Sequence, residues 1–181
     1  YIGGGHVDRS IEIEEKVADF LAWFVAEGSS KESGDIALTL NRHSDPVDEI
    51  RKIIHKMGFE TYVIDKGKAI DVGFKSHMLA RWLRKNVGTL AKNKRIPKEI
   101  FESPHDIRLR FLRTYFKGDG NVAEDNVGAK TASEDLWYDL TYLLISVGII
   151  PSTGSGISKT HTIFNGTIIK GTRYYAIRVC G

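Results

Sequence analysis

Two segments lying 92 residues apart end a helical pattern on an acid followed by glycine, and this repeat constrains the chain more than any other feature. The first reads Phe20-Leu21-Ala22-Trp23-Phe24-Val25-Ala26-Glu27-Gly28. The second reads Leu112-Arg113-Thr114-Tyr115-Phe116-Lys117-Gly118-Asp119-Gly120. Ala22 and Ala26, like Thr114 and Gly118, are four apart and share one helical face. Small residues at that spacing let two helix backbones approach closely. Each acid then falls at a helix C-terminus, where the macrodipole disfavours negative charge. Such a placement, made twice, suits a cation bound between two helix ends better than it suits stability. Gly28 and Gly120 are expected to take the left-handed conformation that ends a helix and leaves nearby carbonyls facing outward.

Around these segments an order of elements occurs twice, which marks an internal duplication. A helix is expected from a Ser10 cap through Ile11, Ile13, Val17, Phe20, Leu21 and Phe24, then a strand over Ile36–Leu40. A second helix opens at His43–Pro46 and stops at Gly58. Two strands, Phe59–Ile64 and Ala69–Phe74, meet at an Asp65-Lys66-Gly67 turn, and a helix spans Ser76–Asn86. The order resumes with a helix from Asp106 stopped by Gly118 and Gly120. A strand around Asn121–Thr131, a Ser133-capped helix closed by Gly148, and strands over Ile157–Ile169 and Thr172–Val179 follow. The reading is an α+β chain with a tail over 1–10, one subdomain over 11–90, a linker over 91–105 and a second subdomain over 106–181.

Charge points to the partner. From Asp8 to Glu49 acids outnumber bases 11 to 4, whereas Lys75–Lys98 holds eight Lys or Arg and no acid. After Asp139 there is again no acid, only Lys159, Lys170, Arg173 and Arg178. Segregated basic stretches are the footprint of a polyanion, with solvated surface as the plain alternative. A single cysteine, Cys180, excludes an internal disulfide framework. Neither a bilayer-length apolar run nor a signal peptide is visible, so an intracellular location is expected: prokaryotic cytoplasm or an organelle. The histidines are scattered without ligand spacing, and none is assigned to a metal.

The paired segments resemble the two dodecapeptide motifs of the LAGLIDADG homing endonucleases, in the Ala-Glu-Gly and Gly-Asp-Gly form of the intein-borne branch. Lys94-Arg95-Ile96-Pro97 with Ile100 is similar to that branch's basic block between the motifs. Thr131-Ala132-Ser133, followed by Leu136, Leu140, Leu143-Leu144 and Gly148-Ile149, is similar to the block after the second. The motifs depart from the commonest form at Ala22 and Thr114, both small, and in carrying glutamate as the first acid. No self-splicing residues are visible, so the chain reads as a free-standing enzyme or as an endonuclease domain of a longer one.

The resemblance implies two pseudo-symmetric αββαββα-like halves whose antiparallel sheets form a DNA-binding saddle over two parallel motif helices. It also implies a monomeric, Mg²⁺-dependent enzyme (Mn²⁺ substituting) that cuts both strands of a long, weakly palindromic site and leaves short 3′ overhangs. Glu27 and Asp119 would hold the metal, with Ala26 and Gly118 as neighbouring oxygen donors, and Lys94 and Lys130 would assist the chemistry. Arg42, Lys66, Lys68, Lys75, Lys159, Lys170, Arg173 and Arg178 lie on or beside strands and are the DNA-contact candidates. Two rivals remain: a non-cleaving member of the same fold (an RNA maturase or transcription regulator), and a protein-interaction module with an acidic N-terminal face. Retention of both acids favours cleavage over the first, and the acid-free stretches argue against the second.

Overall fold

α1 (Glu15–Glu27) is buried on every side from Val17 to Val25, so it is the central post of the chain, with no solvent-facing stripe along that stretch. Its partner is α5 (His105–Asp119). The contacts advance together along both: Arg110 meets Glu15, Thr114 meets Asp19, and Gly118 lies against Trp23 and Ala26. The two helices therefore run parallel and end side by side. The computed structural model describes residues 13–123, 126–159, 161–162, 168–169 and 171–180.

Each central helix passes straight into a four-stranded antiparallel sheet. The first sheet has β1 (Gly28–Ser30), β2 (Asp35–Asn41), β3 (Tyr62–Asp65) and β4 (Ala69–Lys75) in the order β1-β2-β4-β3. The second has β5 (Gly120–Ala123), β6 (Asn126–Thr131), β7 (Ser152–Ile157) and β10 (Arg173–Cys180) in the order β5-β6-β10-β7, which is the same topology. A two-stranded pair, β8 (His161–Thr162) and β9 (Ile168–Ile169), is inserted between β7 and β10. α2 (Val47–Lys56) and α6 (Glu134–Ser146) occupy equivalent places, and α3 (His77–Asn86) follows β4. In each half the motif glycine opens the first strand, Gly28 pairing with Leu38 and Gly120 with Ala129, so the second hairpin is one residue shorter.

Alternation along the strands separates a helix-facing side from an outer one. Ile36, Leu38 and Leu40 of β2, with Val72 and Phe74 of β4, are buried with α1 in the common core. Tyr175 and Ile177 of β10 are buried as well, Tyr175 stacking on Trp137 of α6 at 5.4 Å. Ser76 and Ser133 cap α3 and α6 by accepting from the amides of Leu79 and Leu136.

Several boundaries differ from the sequence reading. Ser10 lies outside the described residues, and α1 starts at Glu15 with Glu14 at its cap and no side-chain cap bond. Where a single strand was expected over Asn121–Thr131 there is a hairpin, β5–β6, and its counterpart strand β1 was missed altogether. Both missed strands are short and begin at the motif glycine. β7 (Ser152–Ile157) ends where a single strand over Ile157–Ile169 was expected to begin, and that span holds the short pair β8–β9 instead. Ser-Thr-Gly-Ser-Gly lacks the apolar alternation that signals a strand. The segment expected as a linker is packed: it holds a 3₁₀ turn (Ala91–Asn93) and the short α4 (Lys98–Phe101), and it buries Lys94, Ile96 and Ile100.

The glycines also act differently from expectation. Gly28 (φ −86°) and Gly120 (φ −83°) are extended, not left-handed, because each helix turns directly into a strand. A Cβ at Gly28 would collide with the Phe24 ring and carbonyl, and one at Gly120 with the Phe116 carbonyl, so close approach excludes a side chain. Gly118, expected as a stop signal, lies inside α5. Its missing Cβ would stand 2.9 Å from Trp23 Cζ3 and 3.2 Å from Ala26 Cβ. Gly118→Ala is expected to destabilise by about 1 kcal/mol, since a contact under 3.0 Å with the buried Trp23 ring forces a shift that outweighs the gain of about 1 kcal/mol in helix propensity. Gly118→Leu is expected to lose about 1–3 kcal/mol in denaturant titration, because it forces the two posts apart.

Candidate active site at the paired helix ends

Glu27 and Asp119 are the last residues of α1 and α5, and they line one depression together with Ala26, Gly28, Lys94, Lys130 and Thr131. On the other side of Glu27 a second depression is lined by Gly118, Thr39, Asn41, Asp45 and Lys68. The proximity of the acids shows in their proton affinity. Burial, then the charge of Asp119 and that of Asp45, raise the Glu27 carboxyl to about 7, against a smaller downward pull from Lys94. Asp119 is likewise raised by burial, and a hydrogen bond from Tyr115 acts in the opposite direction.

Lys94 is the buried cation of this site. Its side chain reaches in from the inter-half segment to donate to the carbonyls of Phe24 (2.6 Å) and Gly28 (2.7 Å), and it lies 4.4 Å over the Phe24 ring. These are carbonyls at the C-terminal end of α1, where a cation is favoured. Burial lowers the ammonium to about 8, with Glu27 acting the other way. The backbone around it is pinned: Ser133 Oγ donates to the Lys94 carbonyl at 2.6 Å, and Asp139 accepts from the Ile96 amide at 2.8 Å. Lys130 is exposed on the outer face of β6, its ammonium 5.2 Å over the Tyr174 ring.

The structure therefore brings together Glu27, Asp119, Ala26, Lys94 and Lys130, with Gly118 in the adjoining depression. Three groups were not found from sequence. Tyr115 Oη donates to Asp119 Oδ2 at 2.9 Å, though its ring reads as core. Asp45 faces Glu27 from the loop before α2, and no sequence signal marks it. Asp19, buried in α1, takes a forked contact from Arg110 (2.7–3.0 Å) and a bond from Thr114 (2.8 Å). An acid amid Val17, Ala18, Phe20 and Leu21 was the available clue, since a buried carboxylate must be paired.

The basic candidates divide. Lys75 and Arg178 project from the outer faces of β4 and β10, opposite Asp35 and Gly128. Arg173 shares the parity of Tyr175 and Ile177, so it belongs to the other face of β10 from Arg178 and is exposed at the strand start. Lys66 pairs with Asp71 at 2.6 Å, and Asp71 also accepts from Thr39 at 2.9 Å. Arg42 pairs with Asp65 and donates to the Gly67 carbonyl, bracing the β3–β4 turn. Lys68 borders the Glu27 depression, Lys159 is exposed just past β7, and Lys170 lies outside the described residues.

Two parallel helices, each ending in an acid beneath its own antiparallel sheet, define a two-motif protein of the LAGLIDADG fold. Residues 106–176 match the family model described as a LAGLIDADG-like domain, so the second half of the chain carries such a domain. It is similar to the crystal structure of I-DmoI in complex with DNA and Mn, with TM-score 0.60 and 8% identity over 92% of this chain and 90% of that one. It is also similar to full-length DUF199/WhiA from Thermatoga maritima, with TM-score 0.56 and 14% identity over 95% of this chain and 53% of that one. Among curated proteins, the Replication factor C small subunit of Methanocaldococcus jannaschii is 32% identical over 78% of this chain and 9% of its own length. The DNA polymerase of Thermococcus kodakarensis is 32% identical over 82% and 9%, and the Hel308 helicase of the same organism 28% over 90% and 16%. The chain thus spans only about a tenth to a sixth of these relatives. Among the described residues no helix is long and apolar enough to cross a membrane.

Proposed function

We propose that the chain is a site-specific, divalent-metal-dependent endonuclease that cuts both strands of double-stranded DNA. The observation that carries this reading is the pair of carboxylates at adjacent helix C-termini, one of them raised to about 7 by burial and by its neighbour. A fold does not imply a chemistry. Two half-buried acids placed where the helix dipoles repel them are costly unless a cation is their partner. The donor set fits a hard cation such as Mg²⁺: the carboxylates of Glu27 and Asp119, with the carbonyls of Ala26 and Gly118 as further oxygens.

A cation held there supplies Lewis acidity toward the scissile phosphate and acidifies the attacking water. Glu27 and Asp119 hold it, one from each half. Lys94, with its ammonium lowered to about 8, can carry or release a proton near neutral pH beside the acids. Lys130 adds a positive charge at the rim of the depression, where a phosphate oxygen would lie. Lys75, Arg178 and Tyr174 on the outer sheet faces are the groups available to a duplex lying across them. The relatives carry unrelated names, yet in each the matched segment is a small share of the whole. That pattern supports a self-contained module carried inside longer host proteins, as the intein-borne branch would be.

The test is to incubate the chain with a randomised duplex library in Mg²⁺ and sequence the cut ends. Breaks in both strands at one long, weakly palindromic site, with short 3′ overhangs, are expected. Selective retention of duplexes without breaks, in Mg²⁺ and in Mn²⁺, would overturn the reading in favour of a non-cleaving binder.

A further inference from the structure

The two acids are not held alike. In α5, Tyr115 is fully buried, and its hydroxyl donates to Asp119 Oδ2 one helical turn on, at 2.9 Å. Residues four apart on a helix face each other, so this bond follows from the spacing. The equivalent position in α1, 92 residues earlier, is Trp23, four before Glu27. Its indole lies instead against Gly118 of the opposite helix, and among the described residues no hydrogen bond reaches the Glu27 carboxylate. Glu27 has Lys94 nearby, itself bound to the carbonyls of Phe24 and Gly28. Glutamate also has one more rotatable bond than aspartate, so Glu27 is the freer of the two.

The geometry points to Tyr115 as a positioning residue that aims the second-motif carboxylate, so that the two strand cuts depend on differently held acids. Resting on the endonuclease reading, this adds a residue and an asymmetry to it. A phenol on one carboxylate oxygen fixes the rotamer of Asp119 and leaves the other oxygen to the cation. A buried hydroxyl with a single fixed partner acts here as a ligand-orienting group does in a metal site, where its loss typically costs about 10- to 100-fold in affinity or rate. Nothing equivalent ties Glu27, so removing the phenol oxygen should be felt on one strand only.

The variant is Tyr115→Phe, which keeps the ring that fills the core. Three readouts are needed: the thermal midpoint in metal-free buffer, the dissociation constant for Ca²⁺ alone by calorimetry, and the rate of cutting of each strand of a doubly end-labelled target. The midpoint should stay within a few degrees. Ca²⁺ should bind about tenfold more weakly, and one strand should be cut about tenfold more slowly, so that nicked duplex accumulates. Unchanged Ca²⁺ binding with both strands cut at the wild-type ratio overturns the inference. Equal slowing of both strands with a lowered midpoint overturns it too, since that is the mark of a packing residue. If the wild-type chain cuts no duplex, the endonuclease reading fails, while the Ca²⁺ titration of the two chains still decides whether Tyr115 orients Asp119.

Discussion

Replacing Glu27 by Gln, or Asp119 by Asn, is expected to abolish double-strand cleavage and to stabilise the fold above neutral pH. The activity loss should be at least about 10³-fold for each variant, which corresponds to the several kcal/mol that a metal centre contributes to such a reaction. The stability effect follows from the raised proton affinity of Glu27. In the folded chain its carboxyl titrates near 7, against an ordinary value of 4.5. Folding therefore favours the protonated form: the advantage is fully present below about 4.5 and is lost as pH rises through 7. Glutamine carries no charge to bury. Because the carboxyl is half-exposed and screened by water, about 1 kcal/mol is a fair expectation at pH 8, or roughly 2–4 °C in the melting midpoint. The difference should vanish at pH 4. A Glu27→Gln chain that melts lower than wild type at pH 8, in metal-free buffer, would show that the acid is a structural anchor and not a cation ligand held at a cost.

Such a cost explains why the site could be read from sequence at all. Duplicated acids at helix ends serve no packing purpose, so they stand out against the propensities around them. The four-apart small residues were equally legible, because close helix approach demands them, and Ala26 and Gly118 do meet across the interface. What was not legible depends on contacts far apart in sequence. Tyr115 and Trp23 look alike as apolar aromatics, and only the packed helices show that one hydroxyl reaches Asp119 while the other ring turns to Gly118. Arg42 and Lys66 look like free basic residues, yet Asp65 and Asp71 engage them from the neighbouring turn and strand. The parity of Arg173 against Arg178 required the register of β10, which one residue of slip would invert. Short strands that begin at Gly28 and Gly120 escaped because a three- or four-residue strand carries almost no periodicity.

Lys94→Met is expected to lower both stability and activity, and its pH dependence separates the two roles. The ammonium ties the end of α1, through the carbonyls of Phe24 and Gly28, to the inter-half segment it belongs to. The bond from Ser133 goes to the Lys94 backbone carbonyl and survives the substitution. Methionine fills the channel but donates nothing. The Phe24 carbonyl keeps the Gly28 amide as a partner, and the Gly28 carbonyl loses its lysine. Loss of charge-assisted bonds of this kind costs about 2–3 kcal/mol at pH 7. Burial holds the lysine near 8, below its ordinary 10.5, so its contribution is fully present above about 10.5 and is reduced as pH falls through 8. The stability deficit of Lys94→Met should therefore widen between pH 7 and pH 10, by a further amount on the order of 2 kcal/mol. Cleavage should fall by about 10²–10³-fold at pH 8 if Lys94 moves a proton, as a general acid or base does. Lys94→Arg distinguishes a mobile proton from a fixed charge, since guanidinium cannot release one in this range. An arginine variant that folds but cuts as poorly as Lys94→Met, beside a wild-type rate that changes with pH near 8, assigns the proton to Lys94. Full activity in that variant would make the residue a fixed cation that braces α1 and offsets the charge of Glu27.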